Sequence, residues 1–143
     1  MSTDPEQTAR TFLTAYGRRD VDAALALVAP DARIDIFATG LRGGGPADLR
    51  DLLEKTARAF PDLLLTVRRV VAAGRVVAAE FAVEGTQAAD YLGAINQEKH
   101  LDVAQAWRFE VDDGRITAVG AYWCANQLYR RLGVKRQDQI AIV

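Results

Sequence analysis

Asp35 is the acid with the most chemical potential in the chain. It sits in Arg33-Ile34-Asp35-Ile36-Phe37, which alternates polar and apolar as a strand does. Successive strand side chains point to opposite faces, so two readings stand. If Asp35 faces a pocket, desolvation raises its pKa and makes it a base near neutral pH. If Ile34 and Ile36 face the core instead, Asp35 is an exposed or arginine-paired carboxylate. Gln105 and Trp107 form a second group. They lie two apart in a strand-like run, with Val103 and Phe109 on the same face. Gln105 would hold a carbonyl or phenol oxygen, and Trp107 would either stack on a planar ring or be plain core. Ala121 and Trp123 point the same way on the neighbouring strand. Tyr16, Tyr91 and Tyr122 each carry a hydroxyl, and Tyr16, on an apolar helical stripe, is the best placed of the three to meet a ligand, with core packing as its other reading.

Other groups promise less. His100, the one histidine, follows Lys99 at a strand start and reads as wet. Cys124, the one cysteine, has no neighbouring base and reads as a buried, inert thiol. Gly43-Gly44-Gly45 lacks the Lys-Ser/Thr pair of a phosphate loop and reads as a turn. One Cys and one His cannot supply a four-ligand zinc site, and nothing in the spacing suggests a carboxylate-rich one, so no metal is expected. A disulfide within the chain is impossible, which fits a reducing cytoplasm. The net charge is -1, and the arginine pairs at 18–19, 68–69 and 130–131 are scattered among acids. Neither nucleic acid nor an anionic membrane is an expected partner. No apolar run approaches the ~20 residues of a membrane helix. The polar start, Met1 to Glu6, does not resemble a signal peptide.

These residues need elements to hold them. The 143 residues, half of them hydrophobic, suit one domain spanning 1–143. Thr3 with Glu6 reads as a capping box, and Pro5 suits a first turn. Ala9, Phe12, Leu13 and Tyr16 then form a helical stripe that Gly17 stops. A second helix runs from Asp20 to Val28, and Pro30-Asp31 reads as a turn. Gly40 to Gly45 reads as a flexible turn before a third helix. That helix opens at Pro46, carries Leu49, Leu52, Leu53, Thr56 and Phe60 on one face, and ends at Pro61. Four strands follow: Leu63 to Ala72, Val76 to Val83, Leu101 to Val111 and Arg115 to Trp123. Ala73-Gly74 and Asp113-Gly114 mark hairpins. Gly85 to Glu98 is a longer crossing over one end of the sheet. A short helix spans Asn126 to Leu132, and Val134 to Val143 is a tail. Helices first and a meander later give an α+β fold with a pocket between its layers.

An ordered series of short runs carries a resemblance. Phe60-Pro61-Asp62-Leu63, Val70 to Val77, Gly85-Thr86, Tyr91-Leu92-Gly93, Asp112 to Ile116 and Tyr129 to Gly133 together resemble the SnoaL-like polyketide cyclases. These share the nuclear-transport-factor-2-like cone fold. The resemblance runs from Thr3 to Gly133. It implies three N-terminal helices packed on a curved antiparallel sheet, a deep pocket and an aromatic polyketide ligand. Typical members use a His on the penultimate strand and an Asp on the last strand for an intramolecular aldol closure, with no metal or organic cofactor. Here Gln105 fits the polar position of that pattern. Trp107 stands at the His position, Ala121 at the Asp position and Cys124 at a second acidic position. Alanine cannot take a proton from carbon, and losing a base costs roughly 10²–10⁴-fold. The chain looks more like the cyclase-like branch that takes part in hydroxylating anthracycline-type aglycones. Scytalone dehydratase, another cone-fold pocket enzyme, places a working Asp in a segment similar to Ile34-Asp35.

Three functions are expected from this reading. The first is an enzyme that helps hydroxylate a polycyclic aromatic polyketide without a bound cofactor, the oxidant coming from oxygen directly or from a reductase or oxygenase partner. In it Asp35 deprotonates a phenol, Gln105 orients an oxygen, and Trp107 with Trp123 grips the rings. The second is an aldol cyclase whose base has moved to Asp35. The third is a non-catalytic binding protein for a hydrophobic intermediate. A homodimer or higher homo-oligomer through the outer sheet face fits any of the three.

Overall fold

The computed structural model describes residues 4–133. Helix α1 spans Pro5–Gly17, and its N-cap is Asp4, whose carboxylate accepts from the Glu6 N–H at 3.2 Å. Thr3, the expected cap, lies outside the described residues. The expected stripe of Ala9, Phe12, Leu13 and Tyr16 is buried. Helix α2 spans Val21–Leu25 and is capped by Asp20. It stops short of Val28 because Leu27 and Val28 leave to join a strand: the Leu27 carbonyl accepts from Ile116 N–H.

That strand, β1, spans Val28–Ile36 and contains Pro30-Asp31, which the sequence marked as a turn. Its pairing slips between Val28 and Arg33, so Pro30, with no N–H to give, falls in the irregularity. A short 3-10 turn at Phe37–Thr39 leads to β2 (Leu41–Gly44), antiparallel to β1. The glycines that suggested a flexible turn therefore include an edge strand. Helix α3 spans Pro46–Ala59, with Asp48 accepting from the Gly45 N–H. Phe60 leaves the helix because the residue before a proline is pushed from helical angles.

Strands β3 (Leu64–Ala73), β4 (Val76–Thr86), β5 (His100–Asp112) and β6 (Arg115–Trp123) form hairpins, and α4 spans Ala125–Arg131. Between β5 and β6, Asp113 and Gly114 both take positive φ, 52° and 74°, as a two-residue hairpin turn demands. The sheet order is β2-β1-β6-β5-β4-β3. It is antiparallel except where β1 and β6 run parallel. The expected α+β fold with a curved antiparallel sheet is present, and the β1–β6 pair adds one parallel contact to it. These two strands are joined by most of the chain, so no hairpin dictates their direction. Irregular pairing at Val67/Arg69 and at Glu110/Val111 adds to the curvature of the sheet.

Helices α1 and α3 cover one face. Along β5 the residues Leu101, Val103, Gln105, Trp107, Phe109 and Val111 are buried and their neighbours are more exposed, the period of a half-covered strand. Residues 87–99 cross one end of the sheet. Buried Gln87 ties this crossing together by donating to the Ala94 carbonyl, and Ala88 N–H docks on the Ala59 carbonyl at 2.7 Å. On its far side Tyr129 of α4 donates to the Leu92 carbonyl. No helix among the described residues is long and apolar enough to cross a membrane. The expected tail, Val134 to Val143, lies outside them.

Candidate functional site

Strand register puts four sequence-chosen residues in one block. Gln105 pairs with Trp123 and Trp107 with Ala121, and directly opposed residues share a face. Ile36 of β1 lies next to Ala121 on that face. The block is not uniform in depth. Trp107 is 1% exposed and Ala121 is fully buried. The Trp107 ring meets Tyr16 at 5.6 Å, Phe81 at 5.8 Å, and Phe12 and Phe109 at 6.1 Å between centroids. These protein rings surround it, so Trp107 is enclosed core here and not an open ring platform. Trp123 is partly exposed at the edge of that core. Gln105 lies beside it, buried, with its carbonyl oxygen accepting from the Trp107 indole N–H at 2.9 Å.

Behind Trp107 is a buried hydroxyl cluster that the sequence reading did not assemble. The Thr56 hydroxyl donates to the Leu52 carbonyl of its own helix at 2.8 Å. A hydroxyl has one proton. Tyr16, which donates to Thr56 at 3.2 Å, and Tyr91, 2.9 Å away, must therefore both give their protons to Thr56. Three segments, α1, α3 and the 87–99 crossing, meet at this one oxygen. Burial pushes the Tyr16 phenol up to about 12, with the Thr56 hydrogen bond acting the other way. Tyr91 is pushed higher still, by burial first and then by Tyr16. Neither phenol is a base near neutral pH. The sequence offered these hydroxyls only separately, Tyr16 and Tyr91 as ligand candidates and Thr56 as a threonine on the otherwise apolar face of α3.

Asp35 belongs elsewhere. Register aligns it with Gly120 of β6 and, beyond, Arg108 of β5, which is the face opposite Gln105 and Trp107. Its carboxylate accepts from Arg33 Nε at 3.0 Å and Nη2 at 3.3 Å, and from Gly43 N–H at 2.7 Å. The Arg33 hydrogen bond, then that from Gly43, hold its pKa below the usual carboxylate value. The expected upward shift is reversed because ion pairing and hydrogen bonding outweigh desolvation. Ile34 and Ile36 take the core side. Around Asp35 the outer face holds a stack: Phe37 on Tyr122 at 4.4 Å, with the Arg42 guanidinium 4.1 Å from the Phe37 ring. Arg108 donates to the Tyr122 hydroxyl, and its guanidinium lies over Gly120, where a Cβ would come within 3.0 Å of Nη2.

The remaining candidates resolve simply. His100 is exposed, its Nε2 3.8 Å from Glu84. Cys124 is exposed, not buried as expected, because its sulfur accepts from Gln127 N–H as the cap of α4. Among the described residues no three His, Cys, Asp or Glu side chains cluster as a metal would require. A depression of about 390 Å³ lies beside the 87–99 crossing, lined by Asp62, Thr86, Gln87, Asn96 and Glu98 among others. A smaller one, about 210 Å³, lies near the β3 irregularity and is bordered by Arg68, Glu80 and Gln105 among others.

Comparison with known proteins matches residues 9–119 to the SnoaL-like domain. No curated protein matches the chain. Among solved structures, AclR of Streptomyces galilaeus, a proposed hydroxylase, superposes with a TM-score of 0.80 at 22% identity, covering 90% of this chain and 95% of that one. IdmH of Streptomyces antibioticus, a proposed polyketide cyclase, gives 0.78 at 24% identity over 92% and 99%. A proposed polyketide cyclase of Pseudomonas putida KT2440 gives 0.73 at 26% identity over 90% and 97%.

Proposed function

The chain belongs to the SnoaL-like domain family and has its α+β cone fold, and from that premise we propose that it is a polyketide-tailoring domain that holds a polycyclic aromatic intermediate at Gln105 and Trp123. The observation that carries this reading is the enclosed Trp107–Ala121 pair. An indole and a methyl group fill the two positions where the sequence pattern of the family places an acid and a base. An aldol closure at this place has no group to remove the carbon-bound proton. Asp35, across the sheet, is too far round to replace it. The tailoring step is then hydroxylation of an electron-rich ring. One oxygen atom of O₂ enters the C–H bond and the other leaves as water, which takes two electrons and two protons from a reductase partner. The domain's own part is to grip the ring edge with Trp123, hold an oxygen with Gln105 and keep bulk water from the reacting carbon. The likeness to AclR supports this choice.

A second reading, a non-catalytic carrier, has its own support. The positions next to Gln105 and Trp123 on the same face, 107 and 121, carry an indole and a methyl group, neither of them an acid or a base. Incubation with a tricyclic polyketide methyl ester, with and without a reductase and its nicotinamide donor, separates these. A product heavier by one oxygen is the expected result. Ring closure at unchanged mass would overturn the reading, and tight binding without turnover favours the carrier. Self-association belongs to the same proposal. The outer sheet face exposes Val71 and Val76 beside Glu80 and Arg108, a mixture of apolar surface and both charges that suits a two-fold copy of itself. Sedimentation equilibrium should show a dimer that Val71→Glu dissociates.

A further inference from the structure

An indole N–H only donates, so the Gln105 atom that meets it at 2.9 Å must be the amide oxygen. The contact therefore fixes the direction of the amide. Its NH₂ points away from Trp107. Among the described residues Gln105 Nε2 has no hydrogen-bond partner, although the residue is only 5% exposed. No enclosed side-chain nitrogen or oxygen among those residues is left unpaired. Nε2 is then not fully enclosed and reaches accessible space. A donor held this way, buried along its length and free at its tip, is complete only when something accepts from it. Beside it, in register, stands the partly exposed ring of Trp123.

We infer that Trp107 is a positioning residue, holding the Gln105 amide with its NH₂ toward the guest, so that the site selects a flat ring system carrying an oxygen acceptor there, a carbonyl or a phenolate, over one carrying an N–H or O–H. A glutamine without the indole could turn over and serve either kind of ligand. Trp107 removes that freedom. This deepens the proposed function and rests on its placing of the ligand at Gln105 and Trp123.

Fluorenone and carbazole make the test. Both are rigid tricycles of nearly one shape; the first presents a carbonyl and the second an N–H at the same place. Equilibrium dialysis against the purified chain should give fluorenone the tighter binding, on the order of tenfold for one hydrogen bond made against one lost. Gln105→Glu, an acceptor at neutral pH, should reverse the order. Trp107→Phe keeps a ring in the core and loses the N–H, and should bring the two affinities within about twofold. The ratio is the readout, because a loss of packing weakens both ligands together. Equal binding of the two by the unaltered protein overturns this inference alone. Failure of both to bind overturns the proposed ligand site with it. A Trp107→Phe protein that keeps the tenfold ratio ends the positioning role. Should that variant not fold, Trp107→Leu, which also lacks the N–H, takes its place with the same expected ratio.

Discussion

The two faces of β5 and β6 are one residue apart in sequence and opposite in construction. On the helix side, Trp107 is surrounded by Phe12, Tyr16, Phe81 and Phe109, and among the described residues the hydroxyls behind it meet only one another and a backbone carbonyl. On the other side, Arg33, Asp35, Arg42 and Arg108 are arranged around a Phe37–Tyr122 stack that water reaches. Ionisable groups behave differently in the two places. Burial drives the Tyr16 phenol to about 12, while ion pairing drives Asp35 down. A step of one residue along β1 decides which regime a carboxylate would meet. Ile34 and Ile36 hold the inner positions, and Asp35 is left to the arginines.

Truncation should separate the faces most sharply. Trp107→Ala should lower the unfolding free energy by about 3–5 kcal/mol in a denaturant titration. Tyr122→Ala, which removes a ring stacked at the surface, should cost roughly 0.5–1.5 kcal/mol. Equal losses would break the comparison. Alkali should act next. The folded pKa of Tyr16 lies above its unfolded value of 10.0, so its stabilising effect is complete below pH 10 and is lost as pH rises toward 12. Tyr16 contributes a fall of roughly 2–3 kcal/mol in unfolding free energy over that interval. Tyr91, raised further, adds to the fall in the same direction, so Tyr16→Phe should make the profile shallower without levelling it. Thr56→Val takes the acceptor from two buried phenols and should cost about 1–3 kcal/mol. Asp35→Asn should leave ligand binding and turnover unchanged. Its trace is in acid. A depressed carboxylate stabilises the fold above its unfolded pKa of 3.8 and stops doing so as pH falls through its lower folded value. The Asn variant should lose that part of the acid dependence, seen by following unfolding from pH 6 to pH 2. A loss of turnover with intact folding would return Asp35 to the site.

Helices and hairpins were readable wherever local chemistry alone sets the outcome. The stripe from Ala9 to Tyr16, Asp20 as a cap and Asp113-Gly114 as a turn all depend on neighbours a few residues away. The corrections share another cause. Pro30 lies in a strand because β6, from the far end of the chain, supplies pairing that tolerates the slip. The glycines between Gly40 and Gly45 hid β2, which exists because β1 recruits it. The face taken by Asp35 was open in the sequence, since alternation fixes that two faces exist and not which one the helices cover. Gln105, Trp107, Ala121 and Trp123 stand side by side because period-two spacing and a tight hairpin fix their register. Their different depths were not readable, for these depend on Phe12 and Tyr16 arriving from α1. The Thr56 cluster, joining positions 16, 56 and 91, likewise depends on three distant segments meeting.

The parallel pairing of β1 with β6 has a consequence for synthesis. Strand β1 leaves the ribosome early, yet its inner neighbour is the last of the described strands to be made. Until Arg115 to Trp123 have emerged, β1 has only the short β2 beside it, and the buried edges of Ile34 and Ile36 lie open. Closing a contact of such long range is slow and leaves a nascent chain open to wrong partners. A chain that had emerged only as far as Asp112 would therefore hold β3, β4 and β5 beside loose helices, and the domain would close only once β6 followed.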